Sequence, residues 1–319
     1  MENIAGSNVM QISVASYLKG IPSKNVNPQK TAIIMNFIKG VNTLGDIGNV
    51  ITNYDIANVD VAVVQGFVHP NSRNSSHLTL RKNVFESQQQ RGKRSIIVDS
   101  NLFLYADPVN TKTFLRYSYD GIFPNTGEYC NDTPNPERWD ILSRALGISL
   151  KPWKNGGRNI LICCQRNGGW SMNGKELLPW LINTIDQIKK YSDKQIVVRF
   201  HPGDKRTKEH KIELQKHRLR NVVISNTESI LQEFTHAHCI VNYNSSPAVA
   251  AAIEGVPAIV LDPVRSQAAD VSHHSLDNIE NLQEFDREVW AFKMAQMHWT
   301  LDELNNGTAW KHLRKWAIK

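Results

Sequence analysis

Residues 240–263 read IVNYNSSPAVAAAIEGVPAIVLDP, and this stretch decides the fold. An apolar run gives way to Asn244, Ser245 and Ser246, and Pro247 then suits the first position of a helix, where a missing N–H loses no hydrogen bond. The alanine-rich segment that follows predicts a helix closed by Gly255, and residues 256–261 predict a second buried strand. Strand, serine turn, helix and returning strand form the repeating unit of an α/β sheet. The start of such a helix presents unpaired N–H donors and partial positive charge. Backbone and serine hydroxyls together therefore suit a phosphate oxygen.

Upstream, residues 195–204 read QIVVRFHPGD, a β-branched strand that ends in Arg199, His201 and Gly203, with Lys205 and Arg206 beyond. Ligands of open α/β sheets collect at such strand ends. Several cations in one place suit a diphosphate better than a neutral metabolite. Arg166, after a predicted strand at 159–164, adds to the same charge. The competing reading is structural, an ion pair for Arg199 and a capped loop for His201.

The first half of the chain also alternates. Strand-like runs at 31–38, 59–67 and 94–99 are separated by helical candidates at 42–54 and 77–91, a βαβ rhythm. Residues 114–136, rich in Tyr, Gly, Asn and Pro, predict a long irregular segment. A helix at 137–146 and a connection at 147–157 lead to the second alternating region. After Asp262 the pattern reads as helical, with Trp290, Met294 and Met297 on one buried face. The expected organisation is a first Rossmann-like domain at 1–155, a second at 156–285, and helices at 286–319.

The 319 residues carry 37 Lys and Arg against 30 Asp and Glu, a formal charge of +7 that favours polyanionic partners. With 41% hydrophobic residues the chain is neither disordered nor collagenous. Cys130, Cys163, Cys164 and Cys239 show no CxxC spacing, so reduced buried thiols are expected rather than a disulfide framework. The first twenty residues lack a basic start followed by an apolar core, and no run reaches membrane-spanning length. A cytoplasmic protein without a membrane partner is expected.

The pairing of RFHPGD with the serine-bearing helix start resembles the nucleotide-binding half of glycosyltransferases of the GT-B type, built from two Rossmann-like domains facing a cleft. That resemblance implies a nucleotide-sugar donor on the second domain and a C-terminal helix that crosses back to the first. It implies donor contacts from Arg166, Arg199, His201, Lys205, Asn244, Ser245 and Ser246, with Gly66 opposite. Many such enzymes hold the donor ribose with a glutamate four or five residues after the serines. Ala250 stands there in this chain, and Glu254, one helical turn later, is the substitute candidate.

Glycosyl transfer also needs a base for the acceptor hydroxyl. Asp99 ends the strand RSIIVD of the first domain beside Gly66 and is the leading candidate, with burial expected to raise its pKa. Capping of the next turn by Asp99, Ser100 and Asn101 is the competing reading, and His69, His77 and Asp120 are secondary candidates. No DxD motif with suitable flanks occurs, so no metal is demanded.

Residues 117–130 (YSYDGIFPNTGEYC), 165–180 (QRNGGWSMNGKELLPW) and 301–310 (LDELNNGTAW) resemble, more narrowly, tailed-phage glycosyltransferases. That likeness implies transfer of a sugar, arabinose ahead of glucose, from a UDP-sugar to 5-hydroxymethylcytosine in double-stranded DNA, with no further cofactor. Arg73, Arg81, Lys82, Arg91, Lys93 and Arg94 would then face the duplex, from which the target base is flipped. A solvated helix face is the alternative for this group. Alternatives for the whole protein are a transferase acting on a polysaccharide or lipid-linked saccharide, and a DNA-binding module without activity.

Overall fold

The computed structural model describes residues 10–22, 28–66, 75–168 and 170–318. Its first half forms strands β1 (Ser13–Tyr17), β2 (Ile47–Ile51), β3 (Val61–Gln65), β4 (Arg94–Asp99) and β5 (Leu115–Tyr119). These lie in the order β5-β4-β3-β1-β2, all parallel except β5, which runs against β4. Helix α1 (Pro28–Thr43) covers one face and α2 (Ser76–Gln90) the other. Helix α3 (Pro136–Leu146) then leads out of this half, with Asn135 accepting from the Glu137 amide as its cap.

Residues 31–38 are therefore helix, not the strand expected from their apolar content. Ile33, Ile34, Phe37, Ile38 and Val41 are all buried, a spacing of three and four that fits a helix stripe and not an alternating strand. The expected helix at 42–54 contains β2 instead. Within 114–136, expected to be irregular, lies β5, whose five residues are all buried.

The second half is a five-stranded, wholly parallel sheet of β6 (Asn159–Cys163), β7 (Gln195–Arg199), β8 (Val222–Ile224), β9 (Ala237–Asn242) and β10 (Ala258–Val260), ordered β10-β9-β6-β7-β8. Helices α4 (Leu177–Ile188), α5 (Thr207–Lys216), α6 (Ile230–Phe234) and α7 (Pro247–Glu254) connect them. Both faces are covered, so the strands are apolar throughout: β6 buries Ile160 and Ile162 on one side and Leu161 and Cys163 on the other. Each such aliphatic side chain contributes roughly 1.5–3 kcal/mol. The cluster around α7 extends to Leu102, Phe103 and Phe114 of the first half, so the two sheets share an apolar seam.

Residues 263–286, expected to be helical, hold only short 3-10 turns; α8 (Glu288–Gln296) starts later and buries Trp290 and Met294. The chain then crosses back as expected. Strand β11 (His298–Trp299) joins the first sheet antiparallel to β5, and α9 (Leu301–Asn305) and α10 (Thr308–Leu313) pack on the α1 side. Thr300 and Glu303 form a capping box at α9, Trp310 Nε1 donates to Asp46 at 2.7 Å, and Arg314 Nε donates to the same carboxylate at 2.6 Å. No helix among the described residues is long and apolar enough to cross a membrane.

Candidate functional site

The carboxyl ends of the two sheets face one another across a cavity of about 450 Å³. From the first half it is lined by Asp99, Asn101, Arg116 and Phe123, and from the second by Arg166, His201, Asn244, Ser245, Ser246 and Arg265. A smaller, more apolar chamber of about 200 Å³ adjoins it, bounded by Tyr105, Cys163, Arg199, His201, Ile230, Pro247 and Ala250. Ser245, Ser246 and His201 border both spaces.

Helix α7 begins at the cavity wall. Ser246 is exposed, Ser245 half-buried, and Pro247 takes the first turn. Asn242 pins the turn by donating to the Ser245 carbonyl at 2.8 Å. Asn244 is a brace more than a free ligand: its Nδ2 donates to the Ser171 carbonyl and to Asp262, both at 2.9 Å, and its amide donates to Gln165 Oε1 at 3.0 Å. The loops after β6 and after β10 are thereby tied to the helix start.

The loop after β7 supplies His201, whose Nδ1 accepts the Gly203 amide at 2.9 Å. Burial, reinforced by Arg166, lowers its pKa, so the ring is neutral with its proton on Nε2. An ideal Cβ on Gly203 would come within 2.7 Å of Arg166 Nη2, so glycine here lets Arg166 lie across the loop. Arg166 is exposed and has no hydrogen-bond or ion-pair partner among the described residues. Arg199 is held more tightly: Nη1 donates to the Thr227 carbonyl at 2.7 Å and Nη2 to that of Glu228. The thiols of Cys163 and Cys164 stay protonated, burial pushing the first up to about 12 and the second higher.

Across the cavity, Arg116 Nη2 donates to Asp99 at 2.5 Å. Burial works to lower the Arg116 pKa, but Asp99 and Tyr129 more than offset it and hold it above the ordinary value. Arg265 spans the two halves, paired with Asp262 at 2.7 Å and stacked 5.1 Å over the Phe123 ring. Sequence reasoning missed Arg116 and Arg265. The signal available for Arg265 was its place directly after the strand 256–261; Arg116 gave none, because its strand was itself unread.

Other expected site residues lie elsewhere. Glu254 is at the far end of α7, about 12 Å of helix from the serines, and pairs with Lys151. Lys205 is exposed and borders neither space. Gly66 directly follows β3 and packs against Arg81. Of the cations expected to face a duplex, Arg91, Lys93 and Arg94 are engaged within the first domain. Arg94 is buried, pairs with Asp120 at 2.9 Å and lies over the Tyr119 ring; Lys93 pairs with Asp60 at 2.6 Å; Arg91 donates to Ala57, Asn58 and Gln88; Arg81 is buried. Lys82 is exposed beside Glu86, and Arg73, like His69, is outside the described residues. Arg94 also starts the strand that Asp99 ends, five steps or about 17 Å away. A duplex held at Arg94 would miss the cavity.

No protein family matches this sequence, and no curated protein matches it significantly. Solved structures do share its fold. The chain is similar to Thermosulfurimonas dismutans KpsC, beta Kdo 2,4 transferase, at 12% identity over 90% of both chains, with a TM-score of 0.52. It is similar to the beta Kdo 2,7 transferase of the same organism's KpsC at 11% identity over 93% of this chain and 98% of the other, also at 0.52. The fold is thus of the GT-B type: two facing α/β domains with a cleft between them.

Proposed function

We propose that this protein is a glycosyltransferase that moves a sugar from a nucleotide sugar, seated on the second domain, to a hydroxyl of a saccharide held by the first. The observation that carries the reading is the 450 Å³ cavity in which the start of α7 and the unpartnered Arg166 face Asp99. The two solved structures that share the fold are named as beta Kdo transferases.

In this reading the donor phosphates sit at the α7 start, taking hydrogen bonds from the Ser245 and Ser246 hydroxyls, from backbone N–H groups and from His201 Nε2, with Arg166 closing over them. These donors meet the charge that grows on the leaving phosphate as the glycosidic bond breaks. The smaller chamber, apolar and next to Ala250, takes the nucleoside. Asp99 accepts the proton of the attacking hydroxyl, and Arg116 fixes its orientation. A UDP-sugar is the donor to test first.

A saccharide acceptor is favoured over 5-hydroxymethylcytosine because three of the six cations assigned to a duplex, Arg91, Lys93 and Arg94, are committed within the first domain. The test is incubation with UDP-glucose, UDP-arabinose and other nucleotide sugars, offering oligosaccharides and hydroxymethylated duplex in parallel, with products weighed by mass spectrometry. One added sugar on a saccharide is the expected result. Transfer to the duplex alone would restore the DNA reading, and no transfer together with no uridine diphosphate binding would remove the enzyme reading.

A further inference from the structure

Arg81 stands out in the first domain. It is 7% exposed, and its Nε donates to the Gly20 carbonyl at 2.7 Å, but Nη1 and Nη2 have no partner among the described residues. No carboxylate there pairs with it. Burial alone pulls its pKa down to about 10. A buried charge without a counter-charge is destabilising by several kcal/mol, and a neutral donor would serve Gly20 as well. Such a group persists where an anion arrives from outside.

Its surroundings fit that purpose. Gly66 has φ +91°, and a Cβ there would lie 2.6 Å from Arg81 Nη1, so glycine leaves room for the guanidinium. The Gly66 amide donates to the Val98 carbonyl at 2.8 Å, which sets the Arg81 head beside the strand end that carries Asp99. His77, one turn earlier on α2, has its pKa lowered by burial and then by Arg81 and by Lys30 of α1, so three basic groups from two helices gather around this end of the sheet.

We propose that Arg81 is the anion-binding residue of the acceptor subsite, and that the acceptor is an acidic saccharide whose carboxylate or phosphate takes both free Nη groups. The fork geometry of a guanidinium suits either oxyanion. The proposal rests on the glycosyl-transfer reading for its word "acceptor", but the anion site is testable without turnover.

The experiment is calorimetry at low ionic strength with glucuronic acid, glucose 6-phosphate and neutral glucose, each against the wild type, Arg81→Gln, Arg81→Lys and Arg81→Met. The acidic sugars should bind and glucose should not, the better acidic ligand naming the group. Arg81→Gln should weaken acidic binding roughly tenfold to a hundredfold, with Arg81→Lys in between, while uridine diphosphate binding is unchanged. Arg81→Met should melt no lower than the wild type, because it removes an uncompensated buried charge. Equal binding of glucose and glucuronic acid, retention of acidic binding in a folded Arg81→Gln, or a lower melting temperature with unchanged binding would each overturn the site. Hydroxymethylated duplex binding that depends on Arg81 while acidic sugars are ignored would overturn it as well. Loss of uridine diphosphate binding in the wild type, with acidic sugars still bound, would defeat the transferase reading and leave the anion site standing.

Discussion

Arg116 and Asp99 form an ion pair at the mouth of the cleft, the guanidinium almost wholly buried and the carboxylate one-fifth exposed. The exposed side of Asp99 lines the cavity opposite the α7 start. The pair joins adjacent antiparallel strands, so the carboxylate is held by backbone register and not by a loop. Asp99→Asn should cut turnover by about 10²–10⁴-fold while leaving uridine diphosphate affinity unchanged. Steady-state kinetics beside calorimetry will separate the two, and near-normal turnover would move the base elsewhere.

On the donor side, the Ser245→Ala, Ser246→Ala double variant removes two hydroxyls but leaves the helix start. Each hydrogen bond is worth about 1 kcal/mol, so nucleotide affinity should fall roughly thirtyfold with no change in melting temperature. Glu254→Gln and Lys205→Ala should bind nucleotide like the wild type, since neither reaches the cavity. A defect as large as that of the serine pair in Glu254→Gln would mean the nucleotide lies along α7 and not at its start, and one in Lys205→Ala would mean it reaches over the loop after β7.

These expectations show what the sequence made visible. The serine turn, α7 and the β7 strand end were legible because buried parallel strands are continuous apolar runs bounded by turn residues, and Pro247 and Gly255 mark the ends of the helix between them. Helix α1 was misread because its β-branched and aromatic residues imitate a strand until their spacing is tested against burial. Strands β1, β5 and β11 were too short or too polar-flanked to register. Charge counting failed most clearly on α2 and β4. A tally of arginines does not distinguish a solvated face from Arg94, which lies under Tyr119 and Trp316 contacts made by residues over twenty and over two hundred positions away.

His298 provides a test by pH. It is fully buried between the Leu102 amide, which donates to Nε2 at 3.1 Å, and the Met294 carbonyl, which accepts from Nδ1 at 2.7 Å. Burial pushes its pKa down to about 3. The unfolded chain, with an ordinary value near 6.5, therefore binds a proton that the folded chain refuses. Stability should be unaffected above that value and fall as pH drops through it toward 3, with a limiting slope of about 1.4 kcal/mol per pH unit from this residue. Urea titrations from pH 7 to 4 should show a shallower decline for His298→Gln than for the wild type. Parallel curves would mean the ring is protonated in the fold.

Asp46 responds in the opposite sense. Burial opposes its ionisation, but bonds from Arg314, the Ile12 amide and Trp310 hold its pKa below the ordinary value of 3.8. Its contribution is fully present above that value and fades as pH falls below it. Asp46→Ala should lose about 3 kcal/mol at neutral pH by leaving Trp310 and Arg314 without their acceptor. Chemical denaturation that finds less than about 0.5 kcal/mol would place the tail's anchorage in its tryptophan packing instead.

The return of the chain through β11 also sets an order of events during synthesis. Leu102 sits three residues beyond Asp99, yet the imidazole that receives its amide is made almost two hundred residues later. Nascent chains still on the ribosome can fold the second sheet while the opposing wall waits for β11. The wall around Leu102 thus closes only after β11 has been made, and a pulse-labelled chain halted at residue 297 should leave the segment around Leu102 open to protease.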